Sequence, residues 1–125
     1  MSHFVFVAIG GAAGASLRHL VGMMALRSLG SGFPFGTFIC NVVGSFLMGL
    51  LIHLLAVRFQ ASTEVRLLLT TGLLGGFTTF STFSLDVVTL TERGQMGIAL
   101  FYVALSLAGG IVALFIGLSA ARALV

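Results

Sequence analysis

Residues 75–84 read Gly75-Gly76-Phe77-Thr78-Thr79-Phe80-Ser81-Thr82-Phe83-Ser84: two glycines, then five hydroxyl side chains interleaved with three phenylalanines. The run lies inside an apolar stretch, Leu67 to Leu90, long enough to cross a bilayer as a helix. Gly72-Leu73-Leu74-Gly75-Gly76 interrupts that stretch near its middle. Paired glycines followed by hydroxyl residues predict a broken helix. At membrane depth a broken helix is tolerated only where it is buried in protein or lines a water-filled site. The stretch is therefore the densest functional signal in the chain.

The rest of the chain supports a membrane setting. Of 125 residues, 58% are hydrophobic and 7% charged, and the mean hydropathy is +1.20. A soluble domain carries about a quarter charged residues, so a water-facing surface cannot be built from this composition. Three further apolar stretches predict helices from Phe4 to Leu26, Phe35 to Val57 and Met96 to Ala121, joined by the loop Arg27 to Pro34 and the polar patch Arg58 to Arg66. The fold class expected is an all-α membrane protein of four transmembrane helices, with helix 3 broken, forming one domain over residues 1–125. The first stretch begins after Met1-Ser2-His3 without a basic n-region, and it reads as a retained helix rather than a removable signal.

Charge is sparse and scattered. Six arginines face Glu64, Asp86 and Glu92, giving a net +3. They do not cluster into a nucleic-acid footprint. Four spans put both termini on one side, with Arg58, Arg66 and Arg122. The other side holds Arg27 and Arg93, and Arg18 if it lies near that end. Orientation follows the basic excess in short loops, and this chain has almost none, which predicts insertion both ways up. A fixed orientation set by one dominant charge is the competing reading. Cys40 has no partner for an intrachain disulfide, and Glu64, Glu92 and Arg93 read as solvated loop charges.

Small residues recur at four-residue spacing: Gly10 and Gly14, Ser45 and Gly49, Ser106 and Gly110, Ala113 and Gly117. In lipid such pairs let helix backbones approach closely. They predict a tight bundle with little space inside it, so a conduit would need a second subunit.

Polar side chains inside the spans are functional suspects, because hydrocarbon offers them no partner. Thr37, Asn41 and Ser45 share one face of helix 2. Hydroxyls can bond back to their own helix, but the Asn41 amide has two donors and two acceptors to satisfy. Phe80 and Phe83 share a face, and a ring edge carries partial positive charge that can meet an anion. They serve equally well as packing. Tyr102 and Ser106 lie one turn apart in helix 4, where Tyr102 is either part of that polar track or an interfacial anchor. Arg18, beside His19, either snorkels or stands in a vestibule that draws anions in. Helices 1, 2 and 4 contain no carboxylate, and Asp86 lies late in helix 3. A cation- or proton-driven pump would want a midplane carboxylate, so the inventory points to a small-anion conduit. No residue set supports an enzyme.

The stretch GGFTTFSTF (Gly75 to Phe83), with Asn41 and GGAAGASLRH (Gly10 to His19), resembles the Fluc family of fluoride channels, also called CrcB proteins. The resemblance implies an antiparallel, dual-topology homodimer in the cell's inner (plasma) membrane, with two pathways that export fluoride passively. By position, Phe80 and Phe83 are similar to the family's pore phenylalanines, Asn41 to its pore asparagine and Arg18 to its vestibule arginine. The resemblance also implies that backbone carbonyls of Gly75 and Thr78 form half of a structural sodium site completed by the partner subunit. Ser81, Thr82, Tyr102 and Ser106 are similar to residues of the family's polar track. The chain departs from the family in two places. Gly110 and Leu114 stand where some members continue the track with hydroxyls, and Asp86 stands where glutamate is frequent. A small multidrug-resistance exporter is the rival reading, yet such proteins use a glutamate in helix 1, where this chain has Arg18 and His19. A non-transporting assembly protein would explain the small-residue pairs but not Asn41.

Overall fold

A computed structural model describes residues 2–124. Every regular element among them is helical: α1 (Ser2–Leu29), α2 (Phe35–His53), α3 (Thr63–Arg66), α4 (Gly75–Phe77), α5 (Phe80–Glu92) and α6 (Met96–Leu124). Wide π-helical turns extend α2 over Leu54–Arg58 and join α3 to α4 over Leu67–Leu74. Together they make four lengths apolar and long enough to cross a membrane: Ser2–Leu29, Phe35–Arg58, Thr63–Glu92 and Met96–Leu124. This is a multi-pass membrane protein.

The ends of the spans follow local chemistry. Gly30, at φ +81°, closes α1 by donating its N–H to the Leu26 carbonyl at 3.1 Å, the left-handed cap that glycine supplies without a Cβ clash. The third span starts four residues before the expected Leu67. Ser62 caps it, its hydroxyl accepting from the Val65 N–H at 3.3 Å, with Glu64 in the first turn. Glu64 is therefore not in a loop: it sits in the first turn of α3, its side chain still partly exposed, 3.6 Å from His3 Nε2 at the start of α1. Gly94, at φ +78°, turns the chain between α5 and α6.

α2 packs along α6, and α1 packs along the Leu67–Leu74 turns. At their closest points both contacts are backbone to backbone. A Cβ on Gly14 would strike the Leu73 carbonyl, and one on Gly117 would strike the Phe46 carbonyl. Small side chains at these points replace the hydrophobic driving force that lipid removes.

The glycines of the third span do not break it. Gly72 lies within the π-helical turns, and Gly75 and Gly76 belong to α4. The residues off the helical path come two positions later: Thr78 (φ −89°, ψ 156°) and Thr79 (φ −155°, ψ 122°) are extended. Gly72 and Gly76 lie against α1 instead, where a Cβ would come within 2.9 Å of Gly10 Cα and 2.7 Å of the Gly11 carbonyl oxygen.

Candidate functional site

Thr78 and Thr79 leave the helix because other groups take over its hydrogen bonds. The Thr78 hydroxyl donates to the Leu74 carbonyl at 2.9 Å, closing α4. The Thr79 hydroxyl accepts from the Thr82 N–H at 3.1 Å, opening α5. Both are β-branched, a shape that fits extended backbone, and threonine is a good N-cap.

Asn41 holds the extended pair in place. Its Nδ2 donates to the Thr79 carbonyl at 3.1 Å, and its Oδ1 accepts from the Thr79 N–H at 2.7 Å. The side-chain amide thus pairs with one residue's backbone as a neighbouring strand would, leaving one Asn41 N–H uncommitted. Each such bond contributes about 0.5–1.5 kcal/mol net, and leaving the backbone groups bare would cost more.

The clamp has a consequence for the carbonyls upstream. In an α-helix the Gly75 carbonyl would accept from the Thr79 N–H, and the Thr78 carbonyl from the Thr82 N–H. Those two donors are engaged by Asn41 Oδ1 and Thr79 Oγ1. The intervening Gly76 carbonyl accepts from Arg18 Nε at 3.1 Å. Arg18 is half-buried and reaches across to α4 rather than snorkelling away, and four of its five N–H groups stay uncommitted. It lines a cavity of ≈ 320 Å³ with His19, Thr37 and Thr82.

An open groove of ≈ 290 Å³ beside the extended pair brings together Asn41, Ser45, Thr78, Phe80, Phe83 and Ser106. No carboxylate lines it. Phe80 and Phe83 lie 5.8 Å apart at 43°, but Phe80 is 76% exposed and Phe83 only 8%. The Ser106 hydroxyl is buried and finds no hydrogen-bond partner among the described residues. Gly110 and Leu114 line the same groove farther along α6 and bring no hydroxyl to it.

The remaining expected site residues lie apart from this groove. Ser81 is exposed, its hydroxyl 3.3 Å from that of Thr79. Gly75 is also exposed. Tyr102 is fully buried, so it is no interfacial anchor. Its ring packs beside Phe83, and its hydroxyl donates to Asp86 Oδ2 at 3.0 Å. Asp86 in turn lines a third cavity, of ≈ 300 Å³, with Thr37, Thr89 and Arg93.

Sequence reasoning missed two partners. The double role of Thr79 was foreshadowed by a threonine three residues before Thr82, the spacing of a helix cap. The Asp86–Tyr102 bond carries no local signal, because it depends on how α5 and α6 align.

Among the described residues no group of three or more His, Cys, Asp and Glu side chains could hold a metal ion.

Residues 5–118 match the family described as CrcB-like protein, Camphor Resistance (CrcB). A protein of Chelativorans sp. (strain BNC1), named fluoride-specific ion channel FluC, is 56% identical over 99% of both chains. Proteins of the same name from Agrobacterium fabrum, at 53% identity over 98% of both chains, and Rhizobium etli, at 50% over the full length of both, are also similar. With its motifs, its four spans and relatives at this identity along nearly its whole length, the chain belongs to the CrcB (FluC) family.

Proposed function

We propose that the protein is a fluoride-selective channel giving passive export across the cell's inner membrane, and that it works as an antiparallel, dual-topology homodimer with two pathways. The observation that carries this reading is the Asn41–Thr79 clamp. It fixes a polar break at the edge of a groove lined by Asn41, Phe80, Phe83 and Ser106, with no carboxylate among the lining residues.

The chemistry suits a small, strongly hydrated anion. Fluoride must exchange water for donors that do not trap it. One Asn41 N–H and the Ser106 hydroxyl, which has no partner among the described residues, are neutral donors on the same groove. The rings of Phe80 and Phe83 add weakly positive edges. Arg18, anchored to Gly76 with most of its donors free, would concentrate anions in its cavity before they reach the narrow part. Thr82 lines that cavity; Ser81, next to it on α5, and Tyr102, which packs on Phe83 from α6 and holds Asp86, are further members of the polar route.

A second copy of the chain explains what one copy leaves open. Phe80 is 76% exposed, and the groove beside it is open along one side. The near balance of arginines between the two sides supports opposite orientations.

A structural sodium ion fits the residues present. The Gly75 and Thr78 carbonyls are the two whose helical donors are diverted, and Gly75 is exposed. Unwound backbone carbonyls are the ligands an alkali cation takes at a broken helix. When bound, the ion would supply positive charge that ties together two such breaks, one from each subunit.

The test is efflux from liposomes holding the purified protein, with valinomycin clamping the voltage. Rapid fluoride loss without chloride loss is expected. Retention of fluoride by vesicles that contain folded protein and sodium would overturn the reading.

A further inference from the structure

The loop between α1 and α2 sends one aromatic side chain inward. Pro34 has φ −78° and ψ 66°, and the Phe35 N–H donates to the Phe33 carbonyl at 2.8 Å. That is an inverse γ-turn, and proline's ring pre-sets its φ. Pro34 is also the chain's single proline. The turn aims Phe33 at the cluster formed by Phe83, Leu90, Ala99 and Tyr102.

Phe33 meets Tyr102 edge-on, at 5.3 Å between ring centres and 86° between planes. Tyr102 meets Phe83 at 5.1 Å, and Phe83 meets Phe80 at 5.8 Å. Four rings therefore run in contact from a loop outside the spans to the groove. Polar partners hold Tyr102 at its hydroxyl, where it donates to Asp86 and meets Thr37, while the tilt of its ring is set by the aromatic neighbours at its faces and edges.

We propose that Phe33 is a positioning residue for the anion pathway: seated by the Pro34 turn, it fixes the ring of Tyr102, and through it the tilt of Phe83. The part concerning the pathway rests on the fluoride-channel reading; the seating of Tyr102 does not. A loop residue thereby sets the geometry of a site it does not touch.

The molecule carries its own probe. Tyr102 is the only tyrosine and there is no tryptophan, so the near-ultraviolet tyrosine circular dichroism reports this ring alone. The experiment compares wild type, Phe33→Ala, Phe33→Leu and Phe33→Tyr in liposome efflux, with spectra of the first three. Phe33→Ala is expected to weaken the tyrosine signal at unchanged helix content. Its fluoride efflux should fall about two- to tenfold, the factor that corresponds to one aromatic pair contact. Phe33→Tyr, which restores the ring, should recover the efflux. Phe33→Leu keeps apolar bulk, guards against misfolding of the alanine variant, and should show the same losses to a smaller degree. Wild-type efflux or an unchanged tyrosine signal in both Phe33→Ala and Phe33→Leu would overturn the proposal. If wild type itself passes no fluoride, the channel reading fails, and the tyrosine signal alone decides whether Phe33 seats Tyr102.

Discussion

Helix α2 meets two neighbours in opposite ways. Toward α6 it is joined by subtraction: Gly49 lies against the Leu114 carbonyl and Gly117 against the Phe46 carbonyl, so two backbones touch with no side chain between them. Toward the third span it is joined by addition, the Asn41 amide bridging to both backbone groups of Thr79. At Gly49 and Gly117 the first contact uses no polar side chain. The second diverts helical donors, exposes carbonyls and keeps a spare N–H beside a groove. In lipid a tight seam and a functional site are alternative uses of the same helix, and polar surplus is what separates them.

The sharpest break in that comparison is Asn41→Asp. A carboxylate can still accept from the Thr79 N–H but cannot donate to its carbonyl, and it puts negative charge beside the groove. An uncompensated buried charge costs about 3–5 kcal/mol, and about 1.4 kcal/mol is a factor of ten. Fluoride efflux at neutral pH should fall by two orders of magnitude or more. Near wild-type efflux would contradict the assignment.

At the subtractive seam, Gly117→Val should act on stability rather than conduction. A Cβ there has no room against the Phe46 carbonyl. Overpacking of this kind costs about 1–3 kcal/mol, so denaturation in detergent should shift to milder conditions while the surviving folded fraction still conducts. A variant as stable as wild type but unable to conduct would erase the distinction between the two contacts.

Smaller effects sharpen the site itself. Phe83→Ile or Phe80→Ile should cut efflux by about tenfold without changing the oligomer seen by gel filtration. Wild-type efflux in both would remove the rings from the pathway. Ser106→Ala should leave stability within about 0.5 kcal/mol, because its hydroxyl bonds to nothing among the described residues. Its efflux should drop only a few fold, and a large loss of stability would show that the hydroxyl has a structural partner.

The four spans were legible because apolar length and small-residue spacing are local properties. The position of the irregular backbone was not. Glycine signals freedom, and Gly72, Gly75 and Gly76 attract that reading, yet two of them are used for close approach to α1. Backbone leaves a helix in lipid where replacement partners exist, and those come from Asn41, 38 residues away, and from the threonines' own hydroxyls. Distance in sequence also hid the pairing of Tyr102 with Asp86, which settles the tyrosine's placement in the core. Arg18 could be singled out by its depth, but its carbonyl partner at Gly76 could not.

The most direct test of the central claim is the reversal potential of the protein's current in a planar bilayer, with fluoride on one side and chloride on the other at equal sodium. The neutral-donor groove predicts a reversal displaced far toward the fluoride equilibrium potential, and loss of the current in Asn41→Asp. A reversal near zero, or one that follows sodium when sodium is varied, would contradict it.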